Sequence, residues 1–513
     1  MIYRARLRTE CRFFRGHDKL AAQGGPPQIT MRILLAGLIL LPAALLLEGA
    51  DSAGSIPEVA KLLTEVIRID TSNPPGNEGR LAEFLKTRFA PLGFEIDIIP
   101  TPQPGKAHFI ARLRGDGSKR PVLIAGHEDV VGVEREKWSL DPFAGVIKDG
   151  YVYGRGAIDF KGGLAIFAQA ALDIARQKRP LARDIIFVAE ADEEGGAYGT
   201  RFLADNAWDK IDCEFALNEG GWIIQDAAGK VQYVSISTAD KSSISLLLTA
   251  RGASTHSSMP RPDNAIFTLA RALAKLSAYD TKPKLTDSTR EFFLTLAETS
   301  TEPMKTHFRN LATSHDPKLV SAADKAISEN PLLHAIMRNT IAPVFMNAGF
   351  RGNVIPGSAE ATINFRTIPG TTREELIEEI QHAIDDPRVE VTVAPAGMTR
   401  GPVSPDQQRA MDARAQLMSR AAESPKSGAL YDALVKQARL TWPGARVTPY
   451  LFQAGTDAYA WRSRGVPVYG IYPYPISAQD LERMHGNDER VPVASLESGL
   501  KMITNTLLEV AAK

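Results

Sequence analysis

Five short stretches of the sequence carry histidines and carboxylates at spacings that suit metal-assisted hydrolysis. The first is Gly126-His127-Glu128-Asp129-Val130, directly after the apolar run Val122–Ala125. Open α/β sheets place ligands at the carboxyl ends of their strands, which is where His127 then stands. A metal-bound imidazole needs a partner on its second ring nitrogen to fix its tautomer, and Asp129 is placed to supply that carboxylate. The second stretch is Tyr153-Gly154-Arg155-Gly156-Ala157-Ile158-Asp159, in which the glycines allow close backbone approach and Asp159 opens a long helix. Asp159 reads equally well as a helix N-cap. The third, Ala191-Asp192-Glu193-Glu194-Gly195-Gly196, sets carboxylates side by side after another apolar run. Adjacent carboxylates repel unless a cation lies between them or one is protonated. Neighbours in extended backbone point apart, so one can bind metal while the other stays free as a base. A solvated acidic turn has the same composition. The fourth stretch is Leu217-Asn218-Glu219-Gly220-Gly221, and the fifth, far away, is Met484-His485-Gly486-Asn487-Asp488-Glu489-Arg490.

Each stretch alone is weak evidence. Together they offer two histidines and several carboxylates, the donor types that suit Zn²⁺ or a similar divalent ion. Two such ions bring four positive charges. Asp159, Glu194 and Glu219 bring three negative ones and a bridging hydroxide the fourth, so the charge count favours two metals over one.

These motifs, in this order, resemble the M20 family of metallopeptidases and aminoacylases, which includes carboxypeptidase G2-like and Gly-Xaa carboxypeptidase-like enzymes. The resemblance spans roughly Ile56 to Ala512. It implies that His127 and Glu219 hold one metal and Glu194 and His485 the other. It also implies that Asp159 bridges both, with a cis bond to Phe160. Glu193 would be the general base and Asp129 the carboxylate behind His127. Gly252-Ala253-Ser254-Thr255-His256-Ser257-Ser258-Met259-Pro260 resembles the family's dimerisation-domain motif, whose histidine polarises the scissile carbonyl in the neighbouring subunit. His256 and a homodimer follow from that likeness. Asn353-Val354-Ile355-Pro356 and Phe365-Arg366 resemble segments that bind a substrate carboxylate, and Gly455-Thr456-Asp457 resembles a loop lining the pocket. The segment from about Leu285 to Pro343 is longer than a minimal lid.

The implied enzyme holds two divalent ions per subunit, zinc with cobalt as the alternative. Bound water then reaches a pKa of about 7. It cleaves the amide bond of a short peptide or an N-acylated amino acid, with Glu193 as general base. Arg366 would hold the substrate carboxylate through a bidentate fork. The rival reading is a non-catalytic dimeric binding protein on the same fold, and an intact Glu193 beside a full ligand set argues against it. No Gly-x-Ser-x-Gly elbow with a matching acid and histidine occurs, which argues against serine chemistry.

The elements that must hold these residues alternate between helix and strand. Helical spacing runs over Ile56–Ile69 and Gly79–Ala90, the apolar runs Val122–Ala125, Ile185–Ala189 and Phe215–Leu217 follow, and a long helical stretch, Gly163–Gln177, lies between the first two of these runs. The order argues for a parallel or mixed α/β sheet. From Lys241 the pattern changes to Ser242–Arg251 (strand), Asn264–Leu276 (helix), a polar stretch from about Tyr279 to Pro343, Glu360–Phe365 (strand), Arg373–Asp385 (helix) and Val389–Val393 (strand). After Gly397 come Met411–Ser419, Gly428–Gln437, Val466–Ile471 and a final helix Val493–Val510. The expected fold is therefore a mixed-sheet α/β, dinuclear-metal exopeptidase-like catalytic domain, residues 56–240 and 398–513. Inserted in it is an α+β dimerisation (lid) domain, residues 241–397.

At 513 residues the chain exceeds what one core usually serves. Lys+Arg and Asp+Glu both number 60, so no net charge draws nucleic acid or an anionic membrane. Cys11 and Cys213 are the only cysteines, too few for a disulfide framework or a thiolate cluster. Residues 1–55 read as an extension and leader. Arg4, Arg6, Arg8, Arg12 and Arg15 lead to Met31-Arg32, an alternative start, then to the apolar run Ile33–Leu47 and small residues Gly49, Ala50, Ser52 and Ala53. That pattern describes a secretory signal peptide, a buried helix or an uncleaved anchor being the other readings, and the run is too short for a comfortable membrane span. Export is expected, with no stable anchor after cleavage and a membrane-anchored form if the leader stays on.

Overall fold

The apolar runs Val122–Ala125, Ile185–Ala189 and Phe215–Leu217 fall in the middle of one eight-stranded mixed sheet of a computed structural model that describes residues 55–395 and 404–513. The strand order is Arg446–Phe452, Val231–Asp240, Val468–Ser477, Phe215–Gln225, Val122–His127, Ile185–Glu190, Ala107–Leu113 and Glu95–Pro100. The central strands run parallel: Val122–His127 pairs with Ile185–Glu190 on one side and Phe215–Gln225 on the other. Residues of Val122–His127 and Ile185–Glu190 are buried throughout, as expected of strands covered on both faces. Helices Glu58–Ile67, Glu78–Phe89, Lys161–Gln177, Ala429–Thr441 and Val493–Ala511 supply the core on one face, through residues such as Leu63, Leu85, Phe167, Leu434 and Leu507. Cys213, Trp461 and Ile211 belong to the core on the other.

Glu219 lies within a strand and not at its end. Phe215–Leu217 continues to Gln225, and the register shifts where Asn218 faces Gly470 but Gly221 faces Ile471. Such a bulge re-aims a side chain out of the ladder. A Cβ on Gly220 would stand 2.8 Å from the Cα of Gly470, so this bulge has room only for glycine.

A second sheet, fully antiparallel, has the order Thr340–Ala348, Ser358–Thr367, Ser242–Arg251, Val389–Val393. Side chains alternate across it. Leu246, Leu248, Ile363 and Phe365 pack against helices Ala265–Ser277 and Arg373–Ile384 through Leu269, Leu376 and Ile380. Its other face presents Ser243, Ser245, Asn364 and Arg366 to a cleft. This sheet and its two helices form the lid region inserted into the α/β fold.

The stretch expected to be polar and aperiodic forms four helices, Asp287–Thr299, Met304–Thr313, Pro317–Ile327 and Pro331–Ile336. Three start on side-chain caps, with Thr286 accepting from the Thr289 N–H, Asp316 from Lys318 and Asn330 from Leu332. Phe292, Phe293, Leu296, Phe308 and Ile327 join the core of the large sheet rather than that of the lid. The structure runs against the expected membrane-anchored form. Among the described residues no helix is long and apolar enough to cross a membrane, so the anchored form finds no span in them. The leader run Ile33–Leu47, like Cys11, lies outside the described residues.

Candidate metal centre

Three strands and two loops converge above the carboxyl ends of the central strands. His127 is the last residue of its strand, Glu193 and Glu194 follow Ile185–Glu190, and Glu219 leaves the bulge. Asp159 precedes the helix Lys161–Gln177 without capping it: the N-cap position is Phe160 and makes no side-chain bond. The peptide bond between Asp159 and Phe160 is cis.

The carboxylate of Asp159 stands between the two histidines. Its Oδ1 is 3.1 Å from His127 Nε2 and its Oδ2 is 3.0 Å from His485 Nε2. His127 Nε2 also lies 3.4 Å from Glu219 Oε2, and His485 Nε2 lies 3.0 Å from Glu194 Oε1. The donors thus fall into two trios that share Asp159, namely His127–Asp159–Glu219 and Asp159–Glu194–His485, with the donor atoms of each within 4.8 Å of one another. Nitrogen and carboxylate oxygen in this number suit zinc or cobalt, and a shared carboxylate suits a pair of ions.

The electrostatics fit the same reading. Burial, with the nearby charges of Asp159 and Glu193, pushes the carboxyl of Glu219 up to about 8 against the pull of His127. Burial likewise raises Glu194 to about 7. His485 rises to about 11, because its bonds to Asp159 and Glu194 outweigh burial. Carboxylates so crowded and dry are costly to ionise by themselves, and divalent cations between them remove that cost.

Behind the donors lies a scaffold of buried polar bonds. His127 Nδ1 is 2.9 Å from the backbone carbonyl of Asp129 and 3.6 Å from its carboxylate. The Asp129 carboxylate instead accepts the N–H groups of Glu193 (3.1 Å) and Glu194 (3.0 Å) and the amide of Asn73 (2.8 Å). One residue therefore orients the first histidine through its backbone and the acidic pair through its side chain. The tautomer argument for Asp129 is met mainly by its carbonyl, since the turn after His127 brings that oxygen nearer. Glu489 accepts from Arg155 (2.6 Å) and from the backbone N–H of Ile158 (2.7 Å) and Asp159 (3.1 Å), while Arg155 also donates to the Gly486 carbonyl (2.8 Å). That buried pair ties the Asp159 loop to the His485 loop. His485 (φ 60°) and Asp192 (φ 64°) both take the left-handed conformation, a strain that surrounding bonds must hold at a functional site.

Sequence reasoning missed two groups. The hydroxyl of Tyr472, buried, lies 3.0 Å from Asp159 Oδ1 and 3.1 Å from Glu219 Oε2, so its one proton is shared between the two carboxylates. Arg414 donates to Glu193 Oε1 at 2.8 Å. Tyr472 continues an apolar strand and Arg414 sits in a polar helix, so neither had a local signal.

The cleft over the centre has a volume of about 770 Å³. His127, Asp159, Glu193, Glu194, Glu219, His485, Arg366 and Gly455 all line it. His256 and Asn353 do not. They are exposed and adjacent on the lid, where Thr255–His256 pairs with Val354–Ile355 and the Ser257 N–H donates to the Asn353 carbonyl (3.0 Å).

Comparison with known proteins agrees with this geometry. Residues 123–509 match the model of peptidase family M20/M25/M40. "Probable carboxypeptidase S-like 2" of Dictyostelium discoideum is 31% identical over 74% of this chain and 69% of its own length. The human "N-fatty-acyl-amino acid synthase/hydrolase PM20D1" is 28% identical over 77% of this chain and 75% of its own. Among solved structures, the M20 family metallo-carboxypeptidase Sso-CP2 from Sulfolobus solfataricus superposes with a TM-score of 0.61 at 17% identity, covering 88% of this chain and 99% of that one. Human carnosine dipeptidase 1 gives 0.60 at 17%, over 88% and 96%. At such identity the structures speak for the fold alone. The family model and the sequence relatives carry the assignment, and with the paired donor trios they make this chain a metal-dependent hydrolase of peptidase family M20/M25/M40.

Proposed function

We propose that the protein hydrolyses the amide bond of N-acylated amino acids, with a free carboxylate on the amino-acid side and an apolar acyl group. The carrying observation is the cleft itself: Arg366 lines it together with the paired donor trios, and Val344, Phe345, Met411, Met418 and Met484 line it beside polar groups such as Ser243, Asn364 and Arg373. Methionine side chains adapt to apolar ligands of irregular shape. The matches to an acyl-amino-acid hydrolase and to a carboxypeptidase S-like protein support the same class, and a short peptide with an apolar side chain meets the same groups.

When bound, two divalent cations supply an activated water near neutral pH and polarise the scissile carbonyl. The chain's own residues do the rest. Arg366 orients the substrate by its carboxylate. Glu193 takes a proton from the attacking water as the C–O bond forms, then delivers it to the nitrogen as the C–N bond breaks. Asp129 fixes the peptide units of Glu193 and Glu194, and Tyr472 restrains Asp159 and Glu219. The test pairs each acyl amino acid with its α-carboxamide. Losing a buried charge-assisted pair costs about 2–5 kcal/mol, so kcat/KM for the amide is expected to fall about 30-fold or more, and Arg366→Met to erase the difference. Equal turnover of acid and amide by the wild type would overturn the carboxylate assignment.

His256 and Asn353, we further propose, act in the site of a second subunit, the lid serving as dimerisation domain. Their exposure away from their own cleft supports this, as does the edge strand Thr340–Ala348 beside them, where Met346 and the nearby Phe350 are 72% and 76% exposed. Long apolar sheet edges left open are aggregation-prone, and pairing with a second copy would cover this one. Mixing His256→Ala and Glu193→Ala subunits, each nearly inactive, is expected to restore activity as heterodimers form, since one site then has both groups. Heterodimers that form and stay inactive would show that His256 does not act across an interface.

A further inference from the structure

We propose that Arg414 is a positioning residue that aims Glu193 at the reacting water. This rests on the reading of Glu193 as the general base. Arg414 belongs to the helix Pro405–Arg420, which starts on a capping box between Ser404 and Gln407 and lies along the cleft. Its guanidinium grips Glu193 at two points, Nη2 to Oε1 at 2.8 Å and Nη1 to the backbone carbonyl at 3.3 Å. Asp129 holds the N–H of the same residue at 3.1 Å. Glu193 is therefore fixed at its amide, its carbonyl and one carboxylate oxygen, which leaves Oε2 for the proton. Its donor atom lies within 4.8 Å of those of His127 and Glu194, beside the metal centre.

Two further groups flank Arg414 without hydrogen-bonding to it. The Asp457 carboxylate, 1% exposed, stands 3.9 Å from Nη2, and the Tyr459 ring lies 5.4 Å from the guanidinium carbon. Asp457 follows Gly455, which lines the cleft, and Tyr459 opens the short helix Tyr459–Arg462. Burial of the ion pair matters here: the side chains of Arg414 and Glu193 are each 14% exposed, so water screens the pair little. A planar fork that makes both bonds to Glu193 loses little entropy per bond, which a lysine does not reproduce. A free glutamate, by contrast, samples several rotamers, and a base misplaced by about 1 Å can cost about 10²-fold in rate.

The experiment is a double-mutant cycle on the metal-loaded enzyme, with Arg414→Met, Arg414→Lys, Glu193→Gln and the Arg414→Met/Glu193→Gln pair. Metal content and thermal midpoint are recorded for each as checks of folding. Arg414→Met is expected to lower kcat about 10–10²-fold with KM and metal content little changed, and Arg414→Lys to recover part of the loss. In the Glu193→Gln background the Arg414 substitution should cost almost nothing more, because groups that act through one another are not additive. Three results would overturn the proposal: additive losses, a raised KM at unchanged kcat (Arg414 then holds substrate), or a raised kcat (the pair then restrains the base). Should Arg414→Met unfold, Arg414→Lys and its cycle with Glu193→Gln decide by the same criterion. Full activity of Glu193→Gln alone is a separate outcome, which removes the general-base reading and the proposal with it.

Discussion

Glu193→Gln is expected to lower kcat by about 10²–10⁴-fold, the usual worth of a positioned general base, while metal content stays at the wild-type level. In barrier terms this is about 3–5 kcal/mol at 1.36 kcal/mol per tenfold. The substitution keeps the shape of the side chain and its bond from Arg414, and removes the acceptor of a proton. Glu193 and Glu194 are neighbours in the chain but have separate partners: Glu194 Oε1 lies against His485, and Glu193 Oε1 against Arg414. The outcome therefore separates their roles. Glutamine at 193 that drains metal from the protein would mean that the base and the ligand have been exchanged between the two. The measurement is steady-state kinetics alongside elemental analysis of the same preparation.

Removing the metals is expected to abolish turnover, and Zn²⁺ or Co²⁺ to restore it. Without cations the site still has carboxylates of raised pKa and two histidines bonded to them, but nothing that brings water near pKa 7. A chelated sample that keeps more than about one part in 10² of its activity would place the chemistry on protein groups alone, at the scale that acid–base catalysis reaches unaided. Adding back one equivalent and then a second, with activity followed at each step, shows whether both trios are needed.

Many of the residues that converge in this centre were legible as candidates before any coordinates, because they lie in short motifs. His127, Asp159, Glu193, Glu194 and His485 each sit in a stretch whose glycines or apolar run gave the position away. Glu219 was identified, but its bulge was not, since a register shift depends on the partner strand Val468–Ser477, about 250 residues further along. The alternation of helices and strands fixed the α/β class, whereas strand order is a long-range property that local periodicity does not carry. The four helices between Asp287 and Ile336 were missed despite their starts being written in Thr286, Asp316-Pro317 and Asn330-Pro331, which are cap and N1 signals. The helix Asp287–Thr299 meets the large sheet, mainly at the strand Arg446–Phe452, and Met304–Thr313 and Pro317–Ile327 pack in turn on it and on each other, so their place in the core depends on a distant strand. Tyr472 and Arg414 were invisible for a different reason: each becomes functional only through residues more than 200 positions away in the chain.

The central claim is that Asp159 joins two divalent ions in one site. Elemental analysis of active wild-type protein and of Asp159→Ala, purified side by side, tests it most directly. Two ions per chain are expected in the wild type, one for each donor trio, and a loss affecting both in the variant. An active wild type with one ion per chain, or an Asp159→Ala protein that keeps two, would contradict the account.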